Sequence, residues 1–122
     1  MKKLFLLGTI VILGFMLELQ AAPVLPEAIA RDYLKNGALV IDVRTAGEFQ
    51  AGHLTNTINI PLNELKEKLP RQVSDKSKVL LLHCQSGRRS SLAETQLRTM
   101  GYTNAFNLGS YARAESIWKP LD

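Results

Sequence analysis

Cysteine is nearly absent: the 122 residues hold one, Cys84, so no disulfide can form within the chain. Histidine is almost as scarce, and His53 and His83 with one cysteine lack the spacing of a zinc site; no metal and no cofactor are expected. No run of Lys or Arg exceeds two residues, and no aromatics interleave with basic residues, so no nucleic-acid partner is expected. The longest uncharged stretch, Leu4 to Leu17, falls short of the roughly 20 residues that span a membrane. There is no internal repeat and no low-complexity segment. What remains is an ordinary globular composition, 46% hydrophobic and 21% charged, at a length that suits one domain. The net charge of +4 reads as a solvated surface with a slight excess of cations.

The first residues differ from the rest. Lys2 and Lys3 precede the uncharged stretch, and the small residues Ala21 and Ala22 follow it. That is the layout of a secretory signal peptide over residues 1–22, with cleavage near Ala21 or Ala22 favoured over retention as an N-terminal anchor. Loss of Lys2, Lys3 and Glu18 would leave a domain at 23–122 carrying +3, with no stable membrane insertion, in the periplasm or otherwise exported. No cysteine directly follows the stretch, which argues against a lipid anchor. In an oxidising compartment cysteines normally pair, so a leftover thiol suggests a reactive group or an intermolecular bond. An inert buried cysteine is the alternative; the polar residues after Cys84 weigh against it.

Pattern places Cys84 just past a strand. Helices are expected over Pro26–Asn36, with an apolar stripe of Ile29, Tyr33 and Leu34, and after Thr45, where Thr45 and Glu48 form a capping box that Gly52 closes. Further helices are expected over Pro61–Leu69, from a cap at Ser90 or Ser91 to Met100, and over Ser110–Trp118. Strands are expected over Ala38–Val43, Thr57–Ile60, Lys78–His83 and Ala105–Leu108. Gln72 to Ser77 reads as loop. The alternation argues for an α/β domain with a mainly parallel sheet, whose ligands bind at the carboxyl ends of the strands. The run Cys84-Gln85-Ser86-Gly87-Arg88-Arg89-Ser90 then puts a thiol in a loop whose backbone N–H groups and guanidinium groups favour thiolate.

These residues resemble a single-domain rhodanese, a sulfurtransferase. Val40-Ile41-Asp42-Val43-Arg44, Glu48-Phe49, Gly52-His53-Leu54 and Ile58-Asn59-Ile60-Pro61-Leu62 are similar to the family's N-terminal signature, and the Cys84 run to its active-site loop. Gly101-Tyr102 and Asn107-Leu108-Gly109 are similar to its later landmarks. With the export signal, the nearest group is the small exported rhodaneses of the phage-shock type. Thr55-Asn56 stands where the family often has Pro-Gly; Asn tolerates the left-handed backbone such a turn needs. The family's late Gly-Gly is Gly109-Ser110 here, and Trp118 lies further on than the usual spacing. The resemblance implies a rhodanese-like three-layer domain, a parallel central sheet flanked by helices.

It also implies a reaction. Cys84 would take the outer sulfur of thiosulfate or a similar donor and pass it, as a persulfide, to cyanide or a thiol. The partners are a small-molecule donor and a thiophilic acceptor, and the chain is expected to be a monomer. Residues Gln85 to Ser90 would cradle the sulfur, with Gly87 permitting the curvature. Arg89 either holds the loop through carbonyls or an acid, or meets the anion directly. Arg88 is the better candidate for meeting thiosulfate at the pocket mouth. Asp42 and Arg44 can orient an anion or brace the loop as an ion pair, and bracing is favoured. Glu48 reads as a capping residue and His53 as a hydrogen-bonding residue. His83, one residue before the nucleophile, points away from it. Tyr102, Phe106, Tyr111 and Trp118 read as core.

Two rivals stand beside this reading. Cysteine-based phosphatases and arsenate reductases use a similar loop, but tyrosine-phosphatase-type loops place one more residue between Cys and Arg than separates Cys84 from Arg89. The other is a non-enzymatic binding module or sulfur carrier; inactive rhodanese-like modules typically lose the cysteine.

Overall fold

The computed structural model describes residues 23–119. The expected signal peptide over 1–22 and its cleavage site lie outside the described residues. Pro26 leads into helix α1 (Glu27–Lys35), which Asn36 and the left-handed Gly37 end. Strand β1 (Leu39–Asp42) follows, then the short helix α2 (Ala46–Ala51) and strand β2 (Thr57–Asn59). A 3₁₀ turn (Leu62–Glu64) opens into α3 (Leu65–Gln72). Strand β3 (Leu80–His83), helix α4 (Arg88–Thr99), strand β4 (Ala105–Gly109) and helix α5 (Tyr111–Trp118) complete the order.

The four strands form one sheet in the order β2-β1-β3-β4, and every neighbouring pair is parallel. The α/β architecture read from the sequence is therefore correct. One face packs Ile41, Leu80 and Leu82 against Leu65 and Leu69 of α3 and Ala93 and Leu97 of α4. The other packs Val40, Leu81 and Leu108 against Ala30 of α1 and Ala114 and Ile117 of α5. All strands run the same way, so their carboxyl ends share one edge.

Several local expectations need correction. Ile29 is 44% exposed, so the buried side of α1 rests on Ala30, with Tyr33 and Leu34 partly covered. Helix α3 runs past Pro70 to Gln72 instead of stopping at Leu69. Pro70 faces solvent, while Leu69 and Val73 are buried and joined by the Val73 N–H to Leu69 carbonyl bond of 2.8 Å, so packing holds the last turn. The capping box at Thr45 and Glu48 forms as expected, and Asn56 has φ 59°, the left-handed conformation that suits asparagine.

Candidate active site

The carboxyl edge of the sheet delivers Asp42 and Arg44 from β1, Cys84 from β3 and Gly109-Ser110 from β4. Three main-chain contacts lace the Cys84 loop to the β4–α5 corner. The Cys84 N–H donates to the Gly109 carbonyl (3.2 Å), Ser86 bridges to Ser110, and the Tyr111 N–H donates to the Gln85 carbonyl (3.3 Å). Cys84 itself is buried. The Gly87 N–H reaches its Sγ at 3.0 Å and the Ser90 hydroxyl at 3.5 Å. Burial pushes the Cys84 thiol up. The Ser90 hydroxyl and the backbone N–H groups of Ser90, Gly87 and Ser86 outweigh it, so the pKa lies below that of an ordinary thiol.

The helix after the loop begins at Arg88, not at Ser90 or Ser91. Gly87 is its N-cap at φ 94°, and the Ser91 N–H already donates to the Gly87 carbonyl (3.2 Å). That glycine turns the chain early, so Arg88, Arg89 and Ser90 form the first helical turn, and the Ser90 N–H joins that of Gly87 at the sulfur. Ser90, instead of capping, sends its hydroxyl inward among Sγ and the Gly87 and Gly109 carbonyls. Replacing Gly87 by alanine meets no clash, since the new Cβ would lie 3.5 Å from the nearest atom, but it forces a side chain into the left-handed region. Gly87→Ala is expected to cost about 1–2 kcal/mol of stability, read by denaturant unfolding. Displacing the Gly87 N–H should slow turnover by about 10- to 100-fold in steady-state kinetics.

Arg89 takes the acidic partner. Its guanidinium grips Glu48 through two bonds of 2.6 and 2.9 Å, joining α4 to α2. The Arg89 guanidinium holds the Glu48 carboxyl down at about 2, and the Thr45 N–H and hydroxyl add to this. Glu48 is thus both cap and clamp, and the second role was missed in the sequence. Arg88 is exposed and lines the mouth of a cavity of about 470 Å³ beside the loop.

Asp42 and Arg44 make the brace. Asp42 is fully buried, and Arg44 meets it through Nε (3.0 Å to each oxygen), Nη2 (2.7 Å) and its own backbone N–H (2.9 Å). The same guanidinium donates to the Gly52 carbonyl (2.8 Å) and to Oε1 of Gln85 (3.3 Å), and lies 4.6 Å over the Tyr111 ring. An ion pair from β1 therefore holds the first residue of the Cys84 loop. Asn59 pins β2 to the same corner, its amide donating to the carbonyls of Asp42 and Arg44. No spacing in the sequence signalled the Gln85 or Asn59 contacts. Tyr111 packs against the core as read, and its ring also carries the Arg44 guanidinium that holds Gln85.

His83 packs on the α5 side, away from Cys84, with its ring edge-on to Tyr111. Nδ1 faces the Cys84 carbonyl at 3.3 Å, and Nε2 lies 3.7 Å from Asp42 without a hydrogen-bond partner. Burial pushes its pKa down, although Asp42 opposes this. The unfolded chain then binds a proton that the folded one refuses, so stability should fall as the pH drops below about 6.5. A second loss should follow between about pH 4.5 and pH 2 as Glu48 is protonated. Urea titrations across this range check both, and His83→Gln should flatten the upper limb. His53 donates its Nδ1–H to the Phe49 carbonyl (2.9 Å) and stacks on the Phe49 ring, the hydrogen-bonding residue expected. Tyr102 is core, its hydroxyl donating to the Val73 carbonyl (2.6 Å). No group of three His, Cys, Asp or Glu able to hold a metal ion occurs among the described residues.

A family description, the rhodanese-like domain, matches residues 26–113. The chain is 42% identical over 69 residues to the thiosulfate sulfurtransferase PspE of Escherichia coli, covering 57% of this chain and 66% of that protein. Against other curated relatives it spans about half of their length, 55% and 53% in two cases. Among solved structures, a rhodanese with anions from E. coli is 38% identical with a TM-score of 0.61, covering 63% of this chain and 91% of that one. A human single-domain sulfurtransferase is 29% identical with a TM-score of 0.62, covering 84% and 99%.

Proposed function

Since the chain belongs to the rhodanese-like family, we propose that it is a thiosulfate sulfurtransferase working through a persulfide on Cys84. The convergence of the Gly87 N–H and the Ser90 hydroxyl on Sγ carries the reading, because those donors stabilise an anion on sulfur. The Cys84 thiolate attacks the outer sulfur of thiosulfate. The bond to the sulfonyl sulfur breaks, its electron pair leaves with sulfite, and Cys84 carries S–S⁻. Cyanide or a thiolate then attacks the outer sulfur, and the electron pair returns to Sγ. One nucleophile serves both halves, so the lone cysteine suffices. Gln85, Ser86, Gly87 and Ser90 shape the cradle, Arg88 meets the donor at the mouth, and Arg89, Asp42 and Arg44 hold the loop in place.

The sulfurtransferase relatives support this activity over a phosphatase, and the short gap from Cys84 to Arg89 agrees. Residues 1–22 serve as an export signal in the same proposal, leaving a monomeric domain at 23–122 in the periplasm or beyond. No helix among the described residues is long and apolar enough to cross a membrane.

The test is direct. The protein is incubated with thiosulfate and its intact mass measured, then cyanide is added and thiocyanate assayed. A gain of one sulfur atom followed by thiocyanate is expected. Neither product would sink the reading, and hydrolysis of an aryl phosphate would promote the phosphatase.

A further inference from the structure

We propose that the cavity between the Cys84 loop and the first turn of α5 is a subsite for the acceptor, and that it selects thiols carrying their own carboxylate, bound by Arg113 with Arg88. The proposal rests on the transfer reading above and names its acceptor class. The cavity measures about 470 Å³ and is lined by Ser86, Gly87, Arg88, Ser91, Gly109 and Arg113. Thiosulfate and cyanide are a few atoms each, comparable to a few waters at roughly 30 Å³ apiece. The space suits an organic molecule.

Arg113 is the distinctive wall. Its guanidinium is part-buried and donates to two neutral carbonyls, Leu108 and Leu25, at 2.6 Å each. No carboxylate lies within ion-pair distance of it among the described residues, whereas Arg31, Arg44, Arg71 and Arg89 each have one. Arg88 also lacks an acidic partner there. Part-burying a cation without an anion costs solvation that a bound carboxylate restores. The two carbonyls fix the guanidinium plane and use two of its five N–H groups, leaving donors for a ligand. Val24 and Leu92, 41% and 55% exposed, also line this cavity and offer apolar surface to a carbon skeleton.

In the transfer step the bound acceptor's thiolate attacks the outer sulfur of the Cys84 persulfide. The S–S bond breaks, its electron pair returns to Cys84 Sγ, and the acceptor leaves as its own persulfide anion. Arg113 touches the acceptor's carboxylate, not the reacting sulfurs, so its effect falls on acceptor choice.

The experiment compares 3-mercaptopropionate with 2-mercaptoethanol at equal thiolate concentration, with cyanide as the small acceptor. The wild-type protein should favour the carboxylate thiol by about 10-fold in kcat/KM. Arg113→Gln should bring that ratio near one, Arg113→Lys should keep part of it, and thiosulfate loading and cyanide turnover should hold in both. Arg88→Gln, at an exposed position, should lower the ratio without risk to the fold, and should also slow thiosulfate loading, since Arg88 meets the donor as well. A wild-type ratio of one, or a ratio unmoved in all three variants, overturns the proposal. So does a slower loading by thiosulfate with the ratio unchanged, which would assign Arg113 to the donor. Binding is read separately by titrating 3-(methylthio)propionate and its neutral methyl ester against the Gly87 and Ser110 amide resonances. Shifts with the acid alone support the subsite even if no persulfide forms, which would instead count against the transfer reading. No shifts beside normal cyanide turnover count against the subsite.

Discussion

Cys84→Ser should take up no sulfur from thiosulfate and release no thiocyanate, a loss of on the order of 10³-fold or more. Serine keeps the shape and leaves an oxygen where Gly87 N–H and the Ser90 hydroxyl now meet Sγ. An alcohol in that place stays protonated and cannot form a persulfide. The donors that lower the thiol's pKa therefore have nothing to stabilise. The fold should hold, because the substitution replaces one small buried atom by another that the same N–H can bond. Intact mass with and without thiosulfate, beside a melting curve, separates lost chemistry from lost structure. Residual turnover above a tenth of wild type would remove Cys84 from the mechanism.

Asp42→Ala should be the most damaging change to stability, by about 3–5 kcal/mol. The reason is the partner left behind. Arg44 is 4% exposed, and without Asp42 its charge stays buried with only carbonyl and amide oxygens for company. Against a typical total of about 5–15 kcal/mol, that is a large fraction. The Glu48–Arg89 pair offers a useful contrast. It has equally short bonds, but about a third of each side chain meets water. Solvent screening leaves such a pair worth roughly 1 kcal/mol or less. Denaturant unfolding of Asp42→Ala beside Glu48→Gln tests the ranking, and equal costs would contradict it. Asp42→Ala should also slow transfer, since Arg44 would lose the anchor that holds it on Gln85.

Much of this was legible in the chain. Alternating strand and helix patterns predict the parallel sheet, because each pattern reports a local periodicity that burial then satisfies. The capping box at Thr45 and the left-handed Asn56 were readable for the same reason: both depend on residues within one turn. The start of α4 differs from the expected Ser90 or Ser91 cap, although serine is the commoner cap. Gly87 won by adopting a conformation serine avoids, and so moved Arg88, Arg89 and Ser90 into the helix. Nothing in the sequence marks Arg113, since an arginine on a helix has no local sign that its charge is unpaired.

Local pattern alone specifies an α/β chain with a lone thiol after a buried strand, followed by a glycine turn and two arginines. Periodicity and turn chemistry act between near neighbours, so these features are written in short spans. The long-range partners come from how the strands pack. Glu48 and Arg89 are 41 residues apart, as are Arg44 and Gln85, and both pairs meet because parallel strands bring their ends to one edge. No spacing encodes such a meeting. Register and packing choose which charge finds an acid, which braces the loop, and which, like Arg113, is left facing the cavity.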